Sequence, residues 1–396
     1  MKQVEESYKA FLAECHAKNL QRHLCDVEPV TAAKIRVKGQ LFVNFASNDY
    51  LGLAHHPAVI EASSQYAKDY GAGSSASRLV TGNSHQFTEI EEKLAALKGA
   101  EAALIMASGY QANGAVLEAL FDKRILKAAP HVVADRLNHA SMHFGCKAAG
   151  VRQFRYHHLD AAQCREKLEQ AEPGAPKFIL TETVFSMDGD VAPIKDLVGM
   201  ASAYDACLIA DDAHGFGVLG KGGRGLAEGA DITIGTFSKA MGSFGAYVAG
   251  SRGVIDYLIQ RCGGLIYSTA LPPATLGAIS AAIDLLPGLD EARAKVASHA
   301  ARFRQEMQAL GLGTGKSETQ IVPLIVGKAE AALALSNSLR DKGFWVTAIR
   351  PPTVPEGTSR LRVAFSAAHS DDEVADLIAV IKSAREHIDL EQTEAG

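Results

Sequence analysis

The sequence predicts an α/β fold, with a mainly parallel central sheet, helices on both faces, and a smaller C-terminal α+β lobe. Three observations carry this. Short, fully apolar runs recur from residue 104 onward, amphipathic stretches lie between several of them, and a composition break at Leu285-Leu286-Pro287-Gly288 precedes a second set of elements. Strands buried on both faces read as continuous apolar runs, and their alternation with helices is the pattern of a parallel sheet.

Residues 4–20 have helical periodicity, and residues 1–45 are expected as an N-terminal helical segment. A large domain is expected over 46–286. Its strands are read at Leu104 to Met106, His131 to Ala134, Phe178 to Leu180, Cys207 to Ala210, Ile232 to Ile234 and Ala246 to Ala249, with helices at 160–171 and 194–204. A small domain is expected over 287–396. It reads as a long helix at about 290–310, strand 321–326, helix 329–341 closed by Gly343, strands 344–349 and 361–365, and a last helix. Ser370 and Glu373 form a capping box at the start of that helix, each able to satisfy a first-turn amide of the other. The polar tail after Leu390 is expected to fray.

At 396 residues the chain exceeds one small core and suits two lobes. Its 47% hydrophobic and 21% charged residues are ordinary for a soluble globular protein. A net charge of -5 argues against nucleic acid or an anionic membrane as partner, while leaving room for a local basic pocket for a phosphorylated or CoA-linked ligand. The six cysteines have no paired spacing and read as reduced thiols. With no signal peptide and no apolar run of membrane-spanning length, a cytoplasmic location is expected.

In an open parallel sheet, ligands bind beyond the carboxyl ends of the strands. Four apolar runs here lead directly into chemically capable residues. The first leads to Asp135 and His139, the second to Thr181, Glu182 and Ser186, the third to Asp211, Asp212 and His214, and the fourth to Thr236, Ser238 and Lys239. Four such ends point to one cleft, and the residue types fit pyridoxal phosphate. That cofactor needs an amine for a Schiff base, for which Lys239 stands, and a carboxylate on its pyridine nitrogen, for which Asp211 stands. His139 would lie flat against the ring. Thr236, Ser238 and the backbone at Ser108-Gly109-Tyr110 would receive the phosphate.

Blander readings apply to other motifs. Asp212 reads as a structural neighbour of Asp211. Two overlapping GxGxxG matches between Gly215 and Gly225 run into another glycine-rich turn, so they read as a loop and not a dinucleotide site. The pairs His55-His56 and His157-His158 lack metal-ligand spacing and read as surface or loop histidines.

The Asp211-Asp212-Ala213-His214-Gly215 string, followed by the TFSK lysine 25 residues after His214, resembles the α-oxoamine synthases, pyridoxal-phosphate enzymes of the type I aminotransferase fold. The resemblance spans nearly the whole chain through NFASNDYLGL (44–53), GAGSSASRLVTGNSHQFTEIEEKLA (71–95), ADRLNHAS (134–141), TETVFSMDGD (181–190), LIYSTALPP (265–273) and WVTAIRPPTVPEGTSRLRVAFSAAH (345–369). It implies catalytic roles for Lys239, His139, Asp211 and His214, with His214 on the ring oxygen and Ser186 supporting it. Gly109 and Tyr110 would line the phosphate and ring pocket. Thr236 would bind phosphate together with Ser268 and Thr269 from the partner subunit of a homodimer. Arg362 would clamp the amino-acid carboxylate and Asn48 would line the substrate site. Arg350, with Arg22, would meet the far carboxylate of the acyl chain.

The branch most similar over 345–369 condenses L-alanine with pimeloyl-CoA or pimeloyl-ACP in biotin biosynthesis. The alternatives are a sister synthase using glycine or serine with another acyl-CoA, such as a 2-amino-3-ketobutyrate CoA ligase, an ordinary aminotransferase, or a non-catalytic member. The last typically lacks the lysine. Gln21 departs from an arginine frequent in relatives, and Ser74, Ser75 and Ser238 replace glycines.

Overall fold

A computed structural model describes residues 2–17 and 20–385. Its first element is the helix Lys2–Ala17. The rest of the expected helical segment is corrected. Strands β1 (Glu28–Thr31), β2 (Lys34–Val37) and β3 (Gln40–Asn44) follow as an antiparallel ribbon. Ile35, Val37 and Phe42 are buried while their neighbours are more exposed, the period-two pattern of a strand. Lys38 and Gly39, both at positive φ, make the two-residue turn that pairs Val37 with Gln40.

The central sheet contains β4 (Ala102–Met106), β5 (His131–Asp135), β6 (Gln153–Tyr156), β7 (Lys177–Glu182), β8 (Ala206–Asp211), β9 (Ile232–Thr236) and β10 (Ala246–Gly250). Their spatial order is β4-β10-β9-β8-β7-β5-β6, and only β10 runs against its neighbours. Alternation sends Val132, Ala134, Phe178, Leu180 and Ile209 into one core and Val133, Ile179 and Leu208 into another. Helices Gly109–Leu120, Ala140–Ala148 and Arg252–Arg261 cover the first face, and Ala161–Glu169 and Ile194–Tyr204 the second.

Gly145 lets two of these helices approach closely. A Cβ there would lie 2.7 Å from the Asn113 carbonyl oxygen and 2.8 Å from Leu117 Cβ. The contact seats Asn113 beneath Ser141, its Nδ2 donating to Ser141 Oγ at 3.0 Å.

Strands β11 (Ile321–Gly327), β12 (Phe344–Trp345), β13 (Thr347–Ile349) and β14 (Ser359–Ala364) complete the chain's sheets. β11, β14 and β13 form an antiparallel sheet, packed with helices Asp290–Ala309, Ala329–Asp341 and Asp371–Arg385. The expected strand 344–349 is in fact two. β12 pairs parallel with β3, and β13, after buried Val346, pairs with β14. One apolar cluster runs from Phe45 through Phe237, Ile279 and Phe303 to Ile381, so the last helices share a core with the central sheet's surroundings. The capping box closes with Ser370 N–H donating to Glu373 Oε2 at 2.9 Å and Glu373 N–H to Ser370 Oγ at 3.1 Å. The tail after Leu390 lies outside the described residues.

Candidate active site

Asp135, Glu182, Asp211 and Thr236 are the last residues of β5, β7, β8 and β9, which are neighbours in the sheet. The loops beyond these ends meet at one cleft of about 820 Å³, whose wall includes Arg22, Asn48, His139, Ser186, His214, Lys239 and Arg362. The sequence-predicted lysine is at its centre. Lys239 Nζ lies 2.8 Å from His214 Nε2. Burial pushes the amine down to about 8, against the opposing pull of the Asp211 and Glu182 carboxylates.

His214 is itself buried, which holds its pKa well below the ordinary value, with Lys239 and Arg362 adding to the effect. Its Nδ1 is 2.7 Å from Tyr50 Oη, and Tyr50 donates to Asn48 Oδ1 at 3.0 Å. The assignment that satisfies every partner places the imidazole proton on Nδ1, donating to Tyr50, and leaves Nε2 to accept from Lys239. Gln320 Nε2 donates to the His214 carbonyl at 2.7 Å and fixes the backbone.

Asp211 is buried, and its two oxygens accept from Asn113 Nδ2 at 2.7 Å and Ala213 N–H at 2.9 Å. Asn113 thus connects the carboxylate through Ser141 to His139, whose Nδ1 lies 2.7 Å from Ser141 Oγ. Burial lowers the His139 pKa, so the ring is neutral over the ordinary pH range. Glu182 stands beside Asp211 in the strand register. Burial and the Asp211 charge push its pKa well above the carboxylate range. Sequence reasoning placed Glu182 at a strand end but did not single it out. Asn113, mid-helix, and Tyr50, in the loop after β3, gave no local signal.

Arg362 stands in β14, reached across the lobes. Its Nε donates to the Ser186 carbonyl at 2.6 Å, and its Nη2 to Asn48 Oδ1 at 3.0 Å and Tyr50 Oη at 3.4 Å. These bonds hold Arg362 on the cleft wall. Arg22 is exposed on that wall, joined by Arg136, Arg155 and His143, which the sequence reading did not include. Arg350 follows β13 but is not among the wall residues, where Ile349, Pro352 and Thr353 stand instead.

A second cluster could take a phosphate. Thr236 Oγ1 lies 2.7 Å from Ser238 Oγ, and a Cβ on Gly109 would sit 3.8 Å from Thr236 Oγ1. The first amides of helix Gly109–Leu120 therefore open beside these hydroxyls, at the positive end of the helix. Ser268 Oγ accepts from Gln111 Nε2 of that helix at 2.7 Å, and Thr269 bridges to Ser77. Tyr110 is exposed, its ring 5.5 Å from that of Phe144. A buried carboxylate at Asp211, an amine at Lys239 and this open helix end together fit pyridoxal phosphate.

Two other motifs resolve differently. Asp212 is structural as expected: it is fully buried, pairs with Lys98 at 2.8 Å, and accepts from Thr183 Oγ1 at 2.7 Å and Leu226 N–H at 3.1 Å, pinning the glycine-rich loop. His158 is a loop histidine, as expected, but a half-buried one. Its ring lies between two carboxylates, Nδ1 3.1 Å from Asp135 Oδ1 and Nε2 2.9 Å from Asp190 Oδ2. Among the described residues no group of three or more His, Cys, Asp and Glu side chains could hold a metal ion, and no helix is long and apolar enough to cross a membrane.

The sequence profile of the class I and II aminotransferases matches residues 41–381. The 8-amino-7-oxononanoate synthase of Gluconacetobacter diazotrophicus is 50% identical over 397 residues, covering 98% of this chain and 99% of that one. Among solved structures, Sphingomonas wittichii serine palmitoyltransferase matches with a TM-score of 0.90 at 27% identity, over 96% of this chain and 97% of that one. The 8-amino-7-oxononanoate synthase from Francisella tularensis matches with a TM-score of 0.75 at 27% identity, over 87% and 98%. The chain belongs to the class I and II aminotransferase family, in its α-oxoamine synthase branch, and the expected type I fold is the one observed.

Proposed function

We propose that this chain is a pyridoxal-phosphate enzyme that condenses L-alanine with a pimeloyl thioester, carried by CoA or an acyl-carrier protein. The products would be 8-amino-7-oxononanoate, CO2 and the free thiol carrier. The observation that carries the reading is the Lys239 amine, depressed to about 8 and 2.8 Å from neutral His214, in one cleft with the Arg362 guanidinium. The 50% identity, over 98% of this chain, to a protein of that name supports the choice of substrates.

Pyridoxal phosphate, when bound, supplies a protonated ring that withdraws electrons from the amino-acid Cα. Lys239 would hold it through Nζ. Asp211, kept in place by Asn113 and Ala213, would accept a hydrogen bond from the protonated ring nitrogen, and His139 would lie against the ring. His214, with Ser186 nearby, would meet the ring oxygen. Gly109, Tyr110, Thr236 and Ser238 would receive the phosphate, with Ser268 and Thr269 of a second copy.

Arg362 would bind the alanine carboxylate, with Asn48 and Tyr50 fixing the guanidinium. A clamp of that kind holds the Cα–H bond in one orientation. Lys239 Nζ, released by the incoming amine, would take the Cα proton and return one after CO2 has left. Its depressed pKa suits both tasks near neutral pH. Arg22, on the cleft wall, would meet the far carboxylate of the acyl chain, and Arg350, off that wall, would join it only from beside Ile349.

The two-subunit site is supported by exposed Tyr110, Phe144, Phe244 and Tyr267, the last 87% exposed in the single chain. Such apolar surface is what a second copy would cover.

The likeness to a serine palmitoyltransferase favours one second reading, a synthase taking serine or glycine. A panel of L-alanine, glycine and L-serine against pimeloyl and longer acyl thioesters, followed by product mass and CoA release, decides. Preferred turnover of alanine with pimeloyl thioester is expected. Preferred turnover of serine or glycine overturns the substrate assignment.

A further inference from the structure

His158 lies outside the cleft wall, yet it joins the two loops that carry the wall's working groups. On one side Asp135, the last residue of β5, accepts from His158 Nδ1 at 3.1 Å, Leu137 N–H at 2.9 Å and Leu159 N–H at 3.0 Å. These bonds fix the start of the loop that reaches His139. Asn138 Nδ2, donating to the Leu180 carbonyl at 3.0 Å, fixes the next step.

On the other side Asp190 Oδ2 lies 2.9 Å from His158 Nε2. Asp190 closes a tight turn in which Phe185 N–H donates to the Asp190 carbonyl and Gly189 N–H to the Phe185 carbonyl. The Phe185 ring meets the His158 ring edge-on at 4.3 Å. Ser186 stands at the tip of this turn, and its carbonyl takes the Arg362 Nε. The same turn is tied to the second lobe by Asp188 with Arg360 and by Thr319 Oγ1 donating to the Gly189 carbonyl at 2.9 Å.

The imidazole is therefore a spacer with a carboxylate on each nitrogen. Both nitrogens donate only when the ring is an imidazolium. Without the ring, Asp135 and Asp190 would face each other as two poorly solvated anions, and the turns would move apart.

We propose that His158 is a positioning residue for the amino-acid half of the site, setting the separation between His139 and the Ser186 carbonyl that orients Arg362. This rests on the function proposed above. It predicts a selective effect, because Arg22 does not hang on either turn.

The test uses the pyridoxal-phosphate-loaded full chain and the variants His158→Gln, His158→Ala and Asp190→Asn. L-alanine affinity is measured by titration calorimetry without acyl donor, and KM is measured for alanine and for pimeloyl-CoA. His158→Gln, which retains one donor, is expected to weaken alanine binding about fivefold, and His158→Ala more than tenfold, with the pimeloyl-CoA KM within twofold. Asp190→Asn, which keeps the turn's shape, is expected to follow His158→Gln and guards against a variant that fails to fold.

Variants that lose thermal stability but bind alanine as the wild type does would make His158 merely structural and overturn the inference. Equal shifts in both KM values would overturn it as well. A wild type that binds no amino acid but condenses none either would overturn the proposed function first, and the inference with it.

Discussion

Lys239 Nζ and His214 Nε2 stand 2.8 Å apart, with burial drawing the protons from both. The imidazole is neutral, and the amine is depressed to about 8 by desolvation. Two bases in contact would compete for one proton. They do not, because the His214 proton sits on Nδ1, donating to Tyr50 Oη, and leaves Nε2 as an acceptor. His214 thus orients the amine without protonating it.

Removing the Tyr50 hydroxyl tests that arrangement. Tyr50→Phe keeps the buried ring but leaves His214 Nδ1, Asn48 Oδ1 and one Arg362 bond short of a partner. The loss of one buried hydrogen bond is about 1–2 kcal/mol. A roughly tenfold fall in kcat, with a modest drop in melting temperature, is expected, and an unchanged kcat contradicts the role.

Arg362→Gln should act on amino-acid binding. A charged hydrogen bond contributes about 1.5–3 kcal/mol, a factor of roughly 10–150. The alanine KM should rise by that factor, and the pimeloyl-CoA KM much less. Initial-rate measurements with each substrate varied in turn separate the two.

Lys98 and Asp212 form a buried pair, with side-chain exposures of 6% and 0%. Breaking such a pair by removing one partner costs about 3–5 kcal/mol, because the other charge is left buried. Lys98→Met should lower the unfolding free energy from urea titration by an amount of that order, with a lower midpoint, and loosen the loop that leads from His214. An unchanged midpoint would mean the pair contributes nothing.

His158 gives a pH dependence. Burial alone would lower its pKa, but the hydrogen bonds and charges of Asp135 and Asp190 raise it to about 9. The folded value lies above the ordinary 6.5, so its stabilisation is fully present below pH 6.5 and is lost as pH rises toward 9. The Tm of wild type should fall across that window relative to His158→Gln, and parallel curves would contradict the raised value.

The four strand-end loops were legible because each apolar run ended in a short polar burst, which is a local signal. Their joint cleft follows from parallel strands pointing one way. Asn113 was not legible: it is one polar residue on an apolar helix, and its partner Asp211 is far along the chain. Strands β1 to β3 were missed because four-residue alternations such as Lys34-Ile35-Arg36-Val37 are too short to separate from helix. The split of 344–349 left no trace either, since Phe344 and Ile349 are equally apolar whichever sheet they join. The partners of the loop residue His158 were not legible either, because Asp135 at the end of β5 and Asp190 in the turn after β7 are both distant along the chain.

The most direct measurement is chemical. The protein loaded with pyridoxal phosphate is reduced with borohydride, digested, and mapped by peptide mass. The cofactor's mass should appear on the peptide containing Lys239, and Lys239→Ala should lose both that mass and the visible absorbance band. Cofactor mass on another lysine, or a Lys239→Ala protein that keeps the band and turns over, would contradict the account.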